Sequence, residues 1–552
     1  MTTRRQALRL LGVGVGAAAL AAACQLAPPA AGPAPTAVSA LPAAPPTPLP
    51  TPTLAPTRPA LLSGMRIAID VDPDTLDPAG QTNATVQSLV DYLTEPLVRL
   101  QPDGSLGPGL AEKWERSPDG RAYTFSIRRG VRFHDRAILD ADAVKLSLDR
   151  FLNPQLKVPL RAPFDAGLVE AVVVVDPSTV RVQLREPFRL FLHKLAGTEM
   201  GIVSPAHAHA YPDSYNEEPA GTGPYRFKER RKGESVVLER FEGYWARKPF
   251  YPQVQFRIVP EVATRESLLL ANQVDMIIQP PLSDIPSLQR SDSLRVLLGP
   301  TSRTTFVAMD LTLPGGTPLS IKKVRQALNH AIDREGLIRT LLFGAAVPMD
   351  APMAPSLAGY TRTGPYTYDP GRARQLLMEG GTPQLLLKFI HPTGRSMQDA
   401  LAAQVAQGVA SNLHEVGVTT ELTGYDWPSY LAAINVPEDR GVAHLHLFGW
   451  TPAFLDASQQ LTQFTRAQWP PQGLATSHYT NPRVEALLDQ SASEPDTQKR
   501  QDLYAEAQRI VWDDAPWVFL WVPSFPLAYT SRITGITTLP TEKFSAVYAE
   551  PS

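Results

Sequence analysis

Two pairs of histidines have a spacing that can hold a metal ion. His444 and His446 lie in "HLHLFGW" (444–450), where the two-residue period of a strand places both rings on one face. His207 and His209 have the same spacing in "SPAHAHAYPD", which favours a solvated turn. Zinc needs three or four ligands, and the sequence offers no third ligand near either pair. We therefore predict no metal and no cofactor, and interpret His444 and His446 as packing or as a pocket wall.

The motifs of nucleotide-binding and hydrolytic sites are missing from the sequence. It contains no glycine loop ending in Gly-Lys-Ser/Thr, no His-Glu-x-x-His and no Gly-x-Ser-x-Gly. The stretch Gly221-Thr222-Gly223-Pro224 lacks the spacing of a dinucleotide loop, and its proline has no backbone donor for a phosphate. The sequence therefore predicts a protein that is not an enzyme.

Length and charge narrow the class of protein further. A chain of 552 residues is too long for one hydrophobic core, so two or more compact units are expected. Hydrophobic residues make up 43% and charged residues 19%, which is typical of a globular protein. A net charge of −2 argues against nucleic acid as a partner.

The N-terminal residues 1–23 have the pattern of an export signal. Arg4 and Arg5 precede an apolar stretch, Leu10 to Ala23. That stretch has about 14 residues, fewer than the roughly 20 that span a bilayer. Residues 3–9 resemble a twin-arginine motif with Ala7 in place of a larger apolar residue, and an ordinary Sec signal is the alternative.

Cys24, at the end of this stretch, is the only cysteine, so an intramolecular disulfide and a thiolate cluster are excluded. Its position resembles a bacterial lipobox, in which the cysteine becomes the lipidated first residue, although Ala21 stands where leucine is usual. Residues 25–63 are rich in Pro, Ala and Thr, with Arg58 as the single charged side chain, and are predicted to form an extended linker. Together these features predict a monomeric domain tethered to the outer face of a membrane.

The elements of the remaining chain indicate a mixed α/β protein. "RAYTFSIR" alternates like a strand, and Asp140 precedes a striped helical pattern. Asp369-Pro370 and Asn481-Pro482 each place a capping side chain before a proline, which predicts two more helix starts. Residues 321–343 carry one apolar stripe that predicts a single helix ending at Gly344.

The strand "HLHLFGW" ends in a tryptophan followed by a break in regular structure. Gly449 and Pro452 flank Trp450 and interrupt the strand. A large indole at a strand exit is either a lid on the core or the floor of a pocket, and the strand pattern alone does not separate the two.

Several blocks, in order, resemble the extracytoplasmic solute-binding proteins of ABC importers, in the peptide/nickel-binding group. The blocks include "TLDPA", the stretch from "YLTEPLVRL" to "ADAVKLSLDR", "PAGTGPYRF", "LERFEGYW", "IKKVRQALNHAIDRE", "YDPGRARQLLMEGG" and "YAEAQRIVWDDAPWVFLW". They cover essentially all of residues 65–530.

The resemblance implies two α/β lobes joined by crossing strands and closing over a solute, as in type II (cluster C) periplasmic binding proteins. We expect the first lobe over 64–310, with an inserted subdomain at about 107–220, and the second lobe over 311–525. The segment 526–552 is expected to return to the first lobe. The implied partners are a small-molecule or peptide ligand and the transmembrane subunits of an ABC permease.

The resemblance also implies which residues touch the ligand. It places the loop of Trp450, Thr451 and Ala453 at the ligand, and makes Trp450 a pocket floor. Trp427, in "YDWPSY", matches a position where an aromatic side chain forms a pocket. It also implies that the first-lobe loop residues Thr82 and Asn83 touch the ligand. Independently of the resemblance, Arg303, on a strand expected near the hinge, is a candidate to pair with an anionic ligand group. A capped turn and a structural salt bridge are the respective alternatives.

Ala453 departs from the pattern of peptide-binding relatives. There an aspartate at this position receives the peptide's N-terminal ammonium, because a buried ammonium needs a carboxylate. Asp456 replaces it only if the loop runs differently. Otherwise the ligand lacks a free α-ammonium here, as in a blocked or cyclic peptide, a sugar, an opine-like conjugate or an apolar metabolite. Oligopeptide or peptide-like solute remains the leading class, a metal chelate bound through His444 or His446 is a second, and an envelope chaperone or enzyme on this scaffold is a third.

Overall fold

Strands from distant parts of the chain assemble into two main sheets. The structure, a computed structural model, describes residues 64–155, 158–160, 164, 167–210, 218–393 and 401–552. These residues all belong to one unit of the chain, 59–552. The predicted export signal, Cys24 and the linker to residue 63 lie outside the described residues.

The strands are numbered here in chain order. They are β1 (Met65–Ile69), β2 (Val98–Leu100), β3 (Leu106–Pro108), β4 (Ala111–Arg116), β5 (Ala122–Ile127), β6 (Val169–Asp176), β7 (Thr179–Leu184), β8 (Tyr225–Arg231), β9 (Ser235–Arg240), β10 (Gln253–Ile258), β11 (Met276–Ile278), β12 (Leu294–Gly299), β13 (Thr304–Met309), β14 (Ala346–Pro348), β15 (Leu385–Thr393), β16 (Val418–Asp426), β17 (Leu445–Trp450), β18 (Trp517–Pro523), β19 (Phe525–Thr530), β20 (Ile533–Thr534), β21 (Thr537–Thr538), β22 (Phe544–Ser545) and β23 (Glu550–Pro551).

The helices pack on both main sheets. Those of eight residues or more are Ala141–Leu152, Val262–Leu270, Lys322–His330, Arg334–Leu341, Pro370–Glu379, Ala402–His414, Trp427–Ile434, Pro482–Ser493 and Thr497–Asp514. Shorter ones are Ala84–Val90, Phe191–Leu195, Pro205–Ala210, Ile285–Gln289 and Ala457–Leu461. Among the described residues, none of the helices is both long enough and apolar enough to span a membrane.

Each main sheet is the centre of one lobe. The first sheet has seven strands in the order β12-β19-β11-β1-β10-β9-β8, and the second has six in the order β14-β18-β13-β17-β15-β16. A separate four-stranded sheet, β4-β5-β7-β6, forms a subdomain inserted between β1 and β8. The two-lobed α/β fold and the inserted sheet follow the sequence prediction.

The chain crosses between the main sheets twice. It leaves the first sheet after Gly299 and enters the second at Thr304, then leaves the second after Pro523 and re-enters the first at Phe525. Sheet membership thus changes at residues 300–303 and at Ser524. The predicted lobe limits, residues 310 and 525, stay a prediction for the lobes as units.

The structure contains two helices where the sequence predicted one. The apolar stripe over 321–343 is divided between Lys322–His330 and Arg334–Leu341. Asp333 caps the second helix by accepting a hydrogen bond from the backbone of Gly336 at 2.9 Å. The buried Arg334 guanidinium donates to the Asn329 carbonyl at 2.9 Å and to the Phe519 carbonyl. These bonds hold a break that the periodicity of the side chains did not indicate.

Residues from three of the recognised blocks meet around one buried carboxylate, Glu95. It accepts hydrogen bonds from Tyr244 Oη (2.9 Å), Thr222 Oγ1 (2.8 Å), Trp245 Nε1 (2.9 Å) and Arg99. Burial and the nearby Glu95 raise the pKa of Tyr244, so its phenol remains a donor. We call Glu95 and these four donors the Glu95 cluster. It joins the first sheet to the inserted subdomain.

Candidate functional site

The carboxyl ends of the parallel strands in the first sheet lie at the crossing between the lobes. β1 runs parallel to β10 and β11, and Ile278 at the end of β11 pairs with Leu527 near the start of β19. Because β19 begins immediately after the second crossing, all three strands end at this edge. In open α/β sheets, ligands bind outside the carboxyl ends of the strands.

The second sheet presents its corresponding edge to the same crossing. Trp450, the last residue of β17, pairs with Thr304, the first residue of β13. β15 runs parallel to β16 and β17, and its last residue, Thr393, pairs with Asp426. Trp450 and Trp427 therefore lie at the edge where β13 enters from the first lobe.

The crossings are short, so the two edges are close together. Only Ser524 separates β18 from β19. Two consecutive Cα steps span at most about 7 Å, which limits the separation of the sheets at that point. The region between the two edges is the candidate ligand site.

The loop after Trp450 faces outward, and the indole is half-buried. Thr451 and Ala453 are exposed, whereas Pro452 between them is buried. Trp450 packs at the margin of a second-lobe core cluster that contains Phe448 and Leu455. An indole partly in the core and partly outside it suits a pocket floor, and the site role of these three residues stays a prediction.

Asp456 is committed to local structure. It caps the helix Ala457–Leu461, and its Oδ1 accepts from the backbone nitrogen of Ser458 at 2.9 Å and from Ser458 Oγ at 2.6 Å. Tyr504 Oη donates to the same oxygen at 3.4 Å. A carboxylate held by these donors is a poor substitute for a carboxylate at position 453.

Trp427 lies at the edge of the second sheet, and the site role of the first-lobe loop residues Thr82 and Asn83 stays a prediction. Trp427 begins the helix Trp427–Ile434 and stacks on Tyr430 with ring centroids 5.9 Å apart. Asn83 caps the helix Ala84–Val90 through Oδ1, which accepts from the backbone of Thr85 at 2.9 Å. Thr82 is exposed beside it.

Arg303 is located on the first crossing, and its guanidinium is paired. Its Nε donates to Glu542 Oε1 at 2.8 Å and its Nη2 donates to Glu542 Oε2 at 3.1 Å. This two-point contact ties the crossing to the C-terminal segment. A ligand carboxylate would have to compete with Glu542 for the guanidinium.

The two strand histidines have partners inside the second lobe. Nε2 of His446 lies 2.6 Å from Thr476 Oγ1, and burial lowers the pKa of His446 to about 4. Nδ1 of His444 accepts the backbone N–H of Lys388 at 3.0 Å. Within the described part of the chain, no three His, Cys, Asp or Glu side chains are grouped so as to hold a metal. Nothing in this geometry favours a chelate bound through these rings.

Two residues that the sequence patterns did not indicate lie at the first crossing. Ser302, with 1% of its surface exposed, and Thr541 of the C-terminal segment both have buried hydroxyl oxygens with no hydrogen-bond partner among the described residues. The same is true of the Trp450 indole nitrogen. No local pattern in "TSRT" or "LPTEK" distinguishes these hydroxyls from ordinary loop residues.

Comparison with known proteins agrees with a two-lobed receptor that binds a solute at a hinge. Residues 105–471 match the family described as bacterial extracellular solute-binding proteins, family 5 Middle. The glutathione-binding protein GsiB of Pectobacterium atrosepticum is 31% identical over 485 residues, which cover 87% of this chain and 92% of that protein.

Two solved structures are similar in fold. HbpA2 from Haemophilus parasuis superposes with a TM-score of 0.80 at 23% identity, covering 89% of this chain and 100% of that one. The ABC transporter substrate-binding protein CtaP from Listeria monocytogenes superposes with a TM-score of 0.75 at 24% identity, covering 89% and 99%. The chain belongs to the family 5 extracellular solute-binding proteins, which confirms the family and the fold predicted from the sequence blocks.

Proposed function

We propose that this protein is the extracytoplasmic receptor of an ABC importer and that it captures a peptide-like solute between its lobes without chemical change. The observation that carries the proposal is the meeting of both strand edges, with Trp450 and Trp427, at two short crossings. Such a cleft suits reversible capture by hinge closure. The membership of a family of solute-binding proteins supports a receptor rather than an enzyme.

Glutathione is the ligand we propose to test first. Its support is the similarity to a glutathione-binding protein over nearly the full length of both chains. Glutathione is a tripeptide whose glutamyl residue is linked through its side-chain carboxyl. Its α-ammonium and α-carboxylate therefore sit on one carbon, unlike the terminus of an ordinary peptide. Because that carboxylate partly neutralises the ammonium within the ligand itself, glutathione depends less on a protein carboxylate, which fits a site with Ala453 where peptide-binding relatives are expected to carry an aspartate.

Native mass spectrometry of the gently purified protein, followed by release of the bound species, tests this function. Co-purified glutathione or another γ-linked peptide would support the proposed ligand. Co-purification of an ordinary peptide would support the receptor function but would contradict a γ-linked peptide as the ligand. Turnover of a bound compound, abolished by one substitution, would contradict the receptor function itself.

We further propose that Cys24 is lipidated and that residues 25–63 hold the monomeric receptor near its permease. The lone cysteine after an apolar stretch of sequence supports this anchor. Cys24→Ser is expected to release the protein from the membrane fraction. Association that still requires detergent in this variant would contradict the anchor.

A further inference from the structure

Three buried polar atoms without hydrogen-bond partners among the described residues belong to residues that backbone contacts link at the first crossing. They are Ser302 Oγ, Thr541 Oγ1 and Trp450 Nε1, which we call the hinge donor group. Buried polar groups in folded proteins are almost always hydrogen-bonded, so each exception calls for a reason.

Backbone contacts link the three residues. The backbone N–H of Ser302 donates to the Pro540 carbonyl at 2.8 Å, which places Ser302 beside Thr541. Trp450 pairs with Thr304, two residues further along the crossing, and Thr304 Oγ1 donates to the Trp450 carbonyl at 3.4 Å. The group therefore combines the crossing itself, the C-terminal segment and the edge of the second sheet.

Local structure accounts for the backbone of this region but not for these side chains. Neighbouring polar groups are satisfied, since Thr301 Oγ1 donates to the Pro523 carbonyl at 2.6 Å and Ser356 Oγ donates to the Thr301 carbonyl at 2.8 Å. Arg303 is bound to Glu542. The side chains left over are one donor-only indole and two hydroxyls that rotate to donate.

We propose that the hinge donor group binds an sp2 oxygen of the ligand, either a carboxylate or an amide carbonyl. The indole N–H can only donate and each hydroxyl has one proton to donate, so the group offers up to three uncharged donors to an oxygen acceptor. This inference deepens the proposed function and rests on it. It names Ser302 and Thr541 as specificity-determining residues of the same site.

The position of the group links recognition to lobe closure. A ligand oxygen bound by residues on both sides of the crossing interacts with a particular angle between the lobes. A ligand shifts a conformational equilibrium by its differential affinity for the two states. Binding at this point therefore selects the lobe arrangement in which all three donors reach the oxygen.

Calorimetric titration of the full-length protein, exported and purified in detergent, tests the proposal. The variants are Ser302→Ala, Thr541→Val and Trp450→Phe, each of which removes one donor and keeps most of the side-chain volume. The probes are glutathione, γ-glutamylcysteine N-methylamide, which lacks only the glycine carboxylate, and 4-aminobutyryl-cysteinylglycine. The last probe lacks only the α-carboxylate of the glutamyl residue.

Each variant is expected to weaken glutathione binding about threefold to tenfold, the effect of one net hydrogen bond. The probe that lacks the recognised oxygen binds weakly to the wild type, and the variants do not weaken it further. Loss with the aminobutyryl probe assigns the glutamyl carboxylate, and loss with the N-methylamide assigns the glycine carboxylate. If the wild type binds all three probes equally well and the variants bind each of them more weakly, the recognised oxygen is an amide carbonyl.

Because two probes are compared on the same variant, a decrease in the fraction of folded protein affects both apparent affinities equally and cancels in their ratio. The inference is overturned if the wild type binds glutathione and all three variants bind it equally well. It is also overturned if the affinity loss is confined to Trp450→Phe, since ring contact would then explain it. Failure of the proposed function gives a different result, in which the wild type binds none of the probes.

Discussion

The Glu95 cluster and the hinge donor group are both buried, but they differ in whether their polar atoms have partners. Glu95 receives four donors across its two oxygens. Ser302, Thr541 and Trp450 each keep one polar atom without a partner among the described residues. A satisfied network stabilises the folded chain, whereas unpaired donors hold binding capacity for another molecule. Substitutions in the two regions should therefore affect different measurements.

Removing the centre of the Glu95 cluster should have the largest effect. Glu95→Ala leaves three neutral donors and the partly exposed Arg99 without their acceptor, and should lower the free energy of unfolding by about 3–5 kcal/mol. Chemical denaturation measures this loss. The control is Glu242→Ala, because its carboxylate is 65% exposed in a salt bridge to Arg240 and should contribute less than about 1 kcal/mol. A similar loss in both variants would contradict the comparison.

Acid should weaken the region of the Glu95 cluster. His134 Nε2 donates to the Gly223 carbonyl at 3.0 Å, and its Nδ1 accepts the Gly221 N–H at 3.3 Å, on either side of Thr222. Burial lowers the pKa of His134 to about 4, below the value of about 6.5 in the unfolded chain. Between these values the unfolded state binds more protons, so stability falls as the pH is lowered from 6.5 to 4.

The expected contribution of His134 to this loss is about 3 kcal/mol. His134→Gln should reduce the dependence of unfolding free energy on pH over that range and leave the part that comes from His446, whose pKa is also lowered to about 4. Urea titrations at several pH values measure this reduction. The control, His414→Gln, alters an exposed ring and should leave the dependence unchanged. An unchanged slope in His134→Gln would show that His134 is not the group responsible.

Substitutions of two tryptophans should have opposite effects on ligand affinity and on stability. We propose that the Trp450 indole forms the pocket floor, so Trp450→Ala should weaken glutathione binding by more than about 1 kcal/mol with little loss of stability. Trp245→Ala should do the reverse, because its Nε1 is bonded to Glu95. Calorimetry measures the affinity of both variants, and thermal unfolding measures their stability. A large loss of stability with intact affinity in Trp450→Ala would make Trp450 a lid on the core.

The smallest effect is expected at Arg303. Because its guanidinium is paired with Glu542, Arg303→Met and Glu542→Gln should each change stability by about 1 kcal/mol or less and leave affinity nearly unchanged. The two variants distinguish an arginine that only forms a structural salt bridge from one that contacts the ligand. If Arg303→Met abolishes glutathione binding while Glu542→Gln preserves it, the arginine contacts the ligand directly.

The Glu95 cluster and the hinge donor group also differ in how well the sequence predicted them. The Glu95 cluster is built from residues within recognisable blocks, so the family and the fold followed from the sequence. The capping residues Asp140, Asp369 and Asn481 also begin helices as predicted, because capping depends on near neighbours. The break at Asp333 was missed, since long-range bonds of Arg334 hold it.

The hinge donor group could not be predicted in this way. Ser302 and Thr541 are brought together by one backbone bond between distant segments, and no periodicity relates them. The approach of Glu542 to Arg303 is equally non-local. Trp450 was found because it ends a strand in a recognised pattern, and its unpaired nitrogen became visible only with the tertiary structure.

The position of β19 in the first sheet has a consequence for how the chain matures. β19 lies between β11 and β12 and is hydrogen-bonded to both, although it comes from the far end of the sequence. A nascent or translocating chain emerges with its N-terminal part first, and until residues 525–530 arrive the sheet has a gap in its interior. The lobe that is begun first is therefore completed last, and a chain truncated before β19 would expose two unpaired strand edges.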